Sequence, residues 1–169
     1  MTVMKGYMLD RITSPLWDTV GVEPQFTADL FTQPVGTGLS VFNSGPKSWV
    51  DTNMLLSGQI PAGWEFRIDR VEVEPVMRTP RAALEAVALR LSIGMKYYLE
   101  MPASRGTARL TEHEIAQGFL LPNMDIGHHL EAPLTIDSSV NFHMLVTSAE
   151  KRRVTLRVSL CGFLYRRIT

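Results

Sequence analysis

Alternation of apolar and polar residues is clearest close to the C-terminus, from Val154 to Arg166. One phase holds mainly aliphatic residues and the other holds a mixed polar and aromatic set. Side chains of a strand point alternately to opposite faces, so this pattern predicts a long, half-buried β-strand. Gly162 in its middle indicates a bulge or the close approach of another backbone. Because this strand comes last, it must pair with strands made much earlier in the chain.

Further alternating segments predict most of the remaining sheet. The expected strands are Leu39–Phe42, Trp49–Leu56, Trp64–Val73, a strand that follows a short helical or irregular piece ending near Ala86 and runs through Tyr98, Pro133–Ile136 and Val140–Thr147. Within the third of these, the apolar phase changes near Asp69 and Arg70, which predicts a β-bulge. A capping box, Thr111 followed by Glu114, predicts one short helix that ends at about Gln117.

The pattern predicts an all-β fold with two parts. Residues 1–38 carry turn signals and scattered apolar residues without a regular period, so we expect an N-terminal arm that lies on its own domain or on a neighbouring subunit. Residues 39–169 are expected to form an antiparallel β-sandwich, a single jelly roll of about eight strands with one short helix. The absence of alternating long helices argues against an α/β fold.

Composition narrows the class of protein without naming a function. The 169 residues fit one domain, and the formal net charge is zero, so no overall field favours nucleic acid or an acidic substrate. A single cysteine, Cys161, excludes an internal disulfide framework and is expected to be a small core residue. No apolar run approaches the roughly 20 residues of a membrane-spanning helix. The N-terminus lacks the apolar core of a signal peptide, so we expect synthesis in the cytoplasm.

Histidine and cysteine are the residues that would indicate a metal site or a catalytic nucleophile in this chain. His128 and His129 are adjacent, so on an extended chain they point in opposite directions and rarely chelate one ion. Nothing in the sequence brings His113 or His143 to that pair. Cys161 lies inside a strand, whereas catalytic nucleophiles need exposure. We therefore expect no catalytic residues, no metal site, no cofactor and no enzymatic activity.

Aromatic and basic residues are better candidates for binding. Arg152, Arg153, Arg166 and Arg167 stand near Phe163 and Tyr165 in the sequence. This mixture suits phosphate or single-stranded nucleic acid, or else the charges solubilise the end of a strand. Tryptophan dominates protein interfaces and also forms carbohydrate platforms. The residues predicted at subunit contacts are Trp17, Phe26, Phe31, Trp49, Trp64, Arg152, Arg153, Arg166 and Arg167.

The order of these features resembles jelly-roll structural proteins of tailless, often lipid-containing bacteriophages. The segments that carry the resemblance are residues 51–55 (DTNML), 63–68 (GWEFRI), 91–98 (LSIGMKYY) with Pro102, and 160–166 (LCGFLYR). The likeness covers roughly Leu39 to Ile168 and is one of pattern rather than of a diagnostic motif.

The resemblance implies a capsid subunit, major or minor, that forms part of a virion. Its implied partners are other copies of itself and other capsid proteins, with viral nucleic acid or an internal membrane as an indirect partner and no small-molecule substrate. Two other classes remain open. A carbohydrate- or receptor-binding sandwich would expose Trp49 or Trp64, and a cupin-like enzyme would bind a metal.

Overall fold

The structure, a computed structural model, describes residues 9–107 and 127–167. These residues contain two 3₁₀ helices, Arg81–Ala86 and Ala103–Gly106. Their strands are β1 (Leu9–Thr13), β2 (Leu16–Val22), β3 (Thr27–Leu30), β4 (Trp64–Pro75), β5 (Val87–Ile93), β6 (Lys96–Pro102), β7 (His128–Asp137), β8 (Phe142–Ser148) and β9 (Val154–Arg167). The all-β class predicted from the alternation is confirmed. The short helix predicted from Thr111 lies outside the described residues.

The strands form two antiparallel sheets packed as a sandwich. The first sheet has the order β1-β9-β4-β7, with β2 also paired to β9, and the second has the order β3-β8-β5-β6. Thr13 pairs with Phe163 and Leu16 with Leu160, so β1 and β2 keep one register along β9. They are two halves of one strand, interrupted at Pro15 because proline has no N–H to donate.

Counted in this way, eight strands follow the connectivity of a jelly roll. The first strand pairs with the last, β3 with β8, β4 with β7 and β5 with β6, as in one long hairpin. The hairpin is rolled up by the β4–β9 and β5–β8 pairings, which divide it between two sheets. The single jelly roll of about eight strands is thus confirmed.

The N-terminal segment is more than an arm. Residues 9–30 supply strands to both sheets, and Val22, Leu30 and Phe31 are buried in the core. The boundary expected after residue 38 therefore does not separate an arm from the sandwich in the described part of the chain. The alternation in β2 was hidden because Asp18, a charged residue, occupies an inward position opposite Val158.

Two predicted strands, Leu39–Phe42 and Trp49–Leu56, are wrong. Residues 31–63 form one long irregular connection between β3 and β4, and only Thr52 forms an isolated bridge, with Asp18. Side-chain hydrogen bonds take the place of ladder bonds there, because Asp51 accepts from Ser40, Val41 and Ser48. Such local side-chain bonds compete with sheet formation.

The strand predicted to run through Tyr98 is in fact a hairpin. It turns at Gly94 and Met95, and Gly94 has φ of 62°, which two-residue hairpin turns require at their first central position. β7 begins at His128, earlier than predicted. The sequence did not reveal this start, because most of the first half of the strand is exposed and carries no apolar period.

The last strand and the bulge are confirmed closely. β9 extends from Val154 to Arg167, and the β4–β9 register shifts between Ile68 and Arg70, which leaves Asp69 unpaired. A Cβ on Gly162 would lie 1.9 Å from the carbonyl oxygen of Arg67, so another backbone does approach this glycine.

The core between the sheets is built from alternate residues, chiefly Phe66, Ile68, Val71, Leu89, Leu91, Ile136, Met144, Val146, Leu156, Val158 and Leu160.

Candidate functional site

The strands on both sides of β9 in the first sheet are irregular at one level. Pro15 breaks the first strand opposite the Cys161–Gly162 step of β9, and β4 bulges beside it at Asp69. In β7, the four residues 130–133 face the single residue Asp69. Bulges in neighbouring strands bend and part a sheet. The result is a cleft of about 480 Å³ on the outer face of this sheet.

Charged groups and one thiol line this cleft. Arg70 Nη2 lies 2.8 Å from Glu72 Oε1, and both side chains are about one-third exposed. Burial, with a smaller contribution from the Glu72 carboxylate, raises the pKa of Cys161 to about 11. The thiolate is the nucleophilic form, so a thiol with this pKa is unreactive at neutral pH. The cleft therefore gathers polar side chains without activating its cysteine.

The histidines show no metal-binding arrangement in the described residues. His128 and His129 pair with Val71 and Arg70 on consecutive positions of β7, so their side chains leave opposite faces of the first sheet. His143 belongs to β8 in the second sheet, opposite Ser92. Within 9–107 and 127–167, no group of three His, Cys, Asp or Glu residues is placed to hold an ion.

Trp17 and Trp64 do not share one platform. Trp17 pairs with Ser159 and Trp64 with Arg166, positions seven residues apart along β9, or about 23 Å. Trp64 is half-buried, with the Arg166 guanidinium 5.8 Å from its ring centre. Trp49 is 60% exposed on the 31–63 connection. Only Trp49 of the three offers most of its ring to a partner.

The arginines predicted as one basic and aromatic group are divided between the two ends of the sandwich. Arg152 and Arg153 lie in the turn before β9, and Arg153 Nε is 3.4 Å from Glu23 Oε1. Arg166 stands 13 residues beyond Arg153, roughly 40 Å along the strand, and Arg167 ends β9. Arg166 is the arginine near Phe163 and Tyr165, whose ring centres are 6.3 Å apart.

The two phenylalanines predicted at subunit contacts have opposite environments. Phe26 is 68% exposed in the turn between β2 and β3. Phe31 is fully buried, with its ring centre 5.7 Å from that of Phe142. The prediction that Phe31 contacts a neighbouring subunit is therefore corrected. Its ring packs inside the core, against the ring of Phe142 at the start of β8.

The 31–63 connection is fixed to the sandwich by a buried ion pair that the sequence did not reveal. Lys47 Nζ lies 2.5 Å from Asp18 Oδ1, and the two side chains are 3% and 0% exposed. Asp18 also accepts from the N–H groups of Thr19 and Phe31. Burial raises the pKa of Asp18, and the Lys47 ammonium opposes that rise. Lys47 stands in a turn-rich segment, and no local pattern connects it with a strand 29 residues earlier.

Asp51 organises the same connection from within. Burial by itself would raise its pKa, but hydrogen bonds from Ser48, Ser40 and Val41 outweigh it and hold the pKa of Asp51 below its ordinary value. Asn53 adds a second attachment, since its side chain bonds the backbone of Trp17 and Pro15. The connection thus has an irregular backbone, but side-chain hydrogen bonds and an ion pair hold it against β2.

Fold and geometry together define this chain as a single jelly-roll domain. No family model, no curated protein and no solved structure matches it. In the described residues, no helix is long and apolar enough to cross a membrane.

Proposed function

We propose that this chain is a self-assembling structural subunit of a bacteriophage capsid, with no catalytic role. The observation that carries the proposal is the jelly-roll connectivity, because eight-stranded jelly rolls recur in viral capsid proteins as well as in lectins and cupins. Fold alone does not decide among these uses. The surface supplies the second argument.

Several large apolar side chains are exposed on this sandwich. Eleven of them in the described residues are more than 40% exposed, among them Phe26, Trp49 and Met95. Large contiguous apolar patches are rare on monomeric soluble proteins, and where exposed apolar residues cluster they mark sites of protein association. A subunit that buries its sides against copies of itself accounts for this surface. Of the predicted contact residues, Phe26, Trp49, Arg152, Arg153 and Arg166 are exposed enough to reach a neighbour.

Size-exclusion chromatography with light scattering, followed by negative-stain imaging, tests the proposal on the purified chain. We expect rings, shells or other discrete multi-copy species whose fraction rises with protein concentration. A monomer at every concentration and ionic strength would contradict self-assembly.

A carbohydrate-binding module is the second candidate, favoured by the exposed ring of Trp49. Sugar stacking on that ring would change tryptophan fluorescence, and Trp49→Ala would remove the change. A fluorescence response to sugars from a chain that stays monomeric would favour this candidate over the capsid subunit.

A further inference from the structure

A second cavity continues the cleft on the outer face of the first sheet. Its volume is about 260 Å³, and Arg67 and Tyr165 are among its lining residues. It shares Asp69 and Phe163 with the cleft of about 480 Å³, so the two cavities form one groove, the outer groove. From Ser159 to Tyr165 the lining follows β9 for six residue steps, roughly 20 Å.

The outer groove holds a hydrogen-bond donor and an acceptor that the protein leaves unpaired. Arg70 Nη2 lies 2.8 Å from Glu72 Oε1, but Arg70 Nε has no hydrogen-bond partner although it is shielded from solvent. The Asp69 carboxylate, at the bulge, forms no hydrogen bond or ion pair with another described residue. Unpaired polar groups are unfavourable away from water, so a ligand that pairs with them gains binding energy.

The charged side chains that line the outer groove balance one another. Arg67 and Arg70 stand against Asp69 and Glu72, so the formal charges cancel when His129 is counted as neutral. A phosphate group would face two carboxylates and a polyamine would face two guanidinium groups, so neither ion gains a net attraction. A neutral ligand whose groups both donate and accept hydrogen bonds suits this lining, and hydroxyl groups do both.

Aromatic rings supply the apolar part of the outer groove. Phe163 and Tyr165 occupy alternate positions of β9, with ring centres 6.3 Å apart, and both are half-buried. The apolar face of a sugar ring packs on such rings while its hydroxyls remain free for polar side chains. A peptide strand fits less well, because β4 and β9 are paired on both sides and an added strand needs a free sheet edge.

We propose that the outer groove binds a neutral oligosaccharide. A sugar ring stacks on Phe163 or Tyr165, while hydroxyl groups donate to Asp69 and accept from Arg70. The length of the groove admits several linked sugar units. This inference goes beyond subunit assembly and does not rest on it. The groove uses no residue of the 31–63 connection and is therefore a different site from the exposed Trp49 ring.

A glycan array tests the inference on the purified chain, followed by isothermal titration calorimetry with the neutral oligosaccharide that binds most strongly. Asp69→Asn removes the unpaired carboxylate at nearly constant size, and Tyr165→Ala removes one ring. The matched controls make the same changes at exposed positions of the second sheet, Asp29→Asn in β3 and Tyr97→Ala in β6. Circular dichroism with thermal unfolding verifies that each variant is folded.

We expect each groove variant to weaken the affinity by at least about tenfold, because one loses a hydrogen bond to a charged group and the other loses a stacking surface. Both controls should bind like the wild type.

An array on which no neutral oligosaccharide binds would overturn the inference, and so would binding confined to charged glycans. Affinity that both groove variants retain, or that the controls lose equally, would also overturn it. Binding that only Trp49→Ala abolishes would assign the sugar to the 31–63 connection instead. None of these outcomes bears on self-assembly, which light scattering tests separately.

Discussion

Removing the carboxylate of Asp18 should destabilise the protein more than any change to an exposed ion pair. Asp18 is fully buried, and it accepts hydrogen bonds from Lys47 Nζ and from the N–H groups of Phe31 and Thr19. Asp18→Asn keeps the size of the side chain but leaves the Lys47 ammonium buried without a counter-charge. The perturbation therefore isolates the cost of an unpaired internal charge.

The expected magnitude follows from the burial of both partners. Breaking a buried ion pair by removing one member costs about 3–5 kcal/mol. The free energy of unfolding of a domain is about 5–15 kcal/mol, so this single change should remove a large share of it. In Asp18→Asn/Lys47→Met the orphaned charge is absent, and the double variant should regain at least about 2 kcal/mol over Asp18→Asn.

Urea unfolding followed by tryptophan fluorescence measures these differences at pH 7. Glu100→Gln is the control, because the Arg90–Glu100 pair lies at the surface, and its unfolding midpoint should match the wild type. The reasoning would be refuted if Asp18→Asn were as stable as Glu100→Gln. It would also fail if the loss of unfolding free energy in the double variant equalled the sum of the losses in Asp18→Asn and Lys47→Met. A coupled pair must give a non-additive double-mutant cycle.

Three further predictions concern single groups. Gly162→Ala should lower the urea midpoint far more than Gly45→Ala, because its Cβ would meet the Arg67 backbone oxygen at 1.9 Å, whereas at Gly45 the nearest atom is a side-chain oxygen at 3.2 Å; equal midpoints would contradict the close approach. The folded-state pKa of Asp51 is lowered, so its stabilisation is present above pH 3.8 and is lost as pH falls through the folded pKa; the stability difference between wild type and Asp51→Asn, measured by urea unfolding, should therefore shrink below pH 3.8. Cys161, with a pKa of about 11, should resist iodoacetamide at pH 7.5 in the native protein and react in urea, as intact mass would reveal; rapid native labelling would refute its burial.

The structure also changes how the N-terminus should be tested. Deletion of residues 1–38 would remove β1, β2 and β3 together with the buried Phe31, so an unfolded product would say nothing about assembly.

Sequence reasoning succeeded where a strand is long and one of its faces is apolar. β9 and β4 alternate over more than ten residues, and even the bulge at Asp69 was visible as a change of phase. It failed where strands are short or carry a charge at an inward position, as β2 does at Asp18. It also predicted strands at Leu39–Phe42 and Trp49–Leu56, because these stretches are apolar enough to suggest burial, although five of their large apolar side chains are exposed.

The sequence by itself determined the β class, the last strand, a glycine in that strand that marks either a bulge or the close approach of another backbone, and the zero net charge. These properties depend on local periodicity or on composition, which any single segment or residue count reveals. Only the tertiary structure decided that β1 and β2 complete the first sheet, that Lys47 neutralises Asp18, and that Phe31 is buried rather than presented to a partner. Each of these depends on residues far apart in the chain becoming neighbours, and pairing across such distances leaves no periodic signal in either segment. The burial of Lys47 and Asp51 has the same origin, because these two charges are removed from solvent only when β2 and the hydroxyls of Ser40 and Ser48 fold against them.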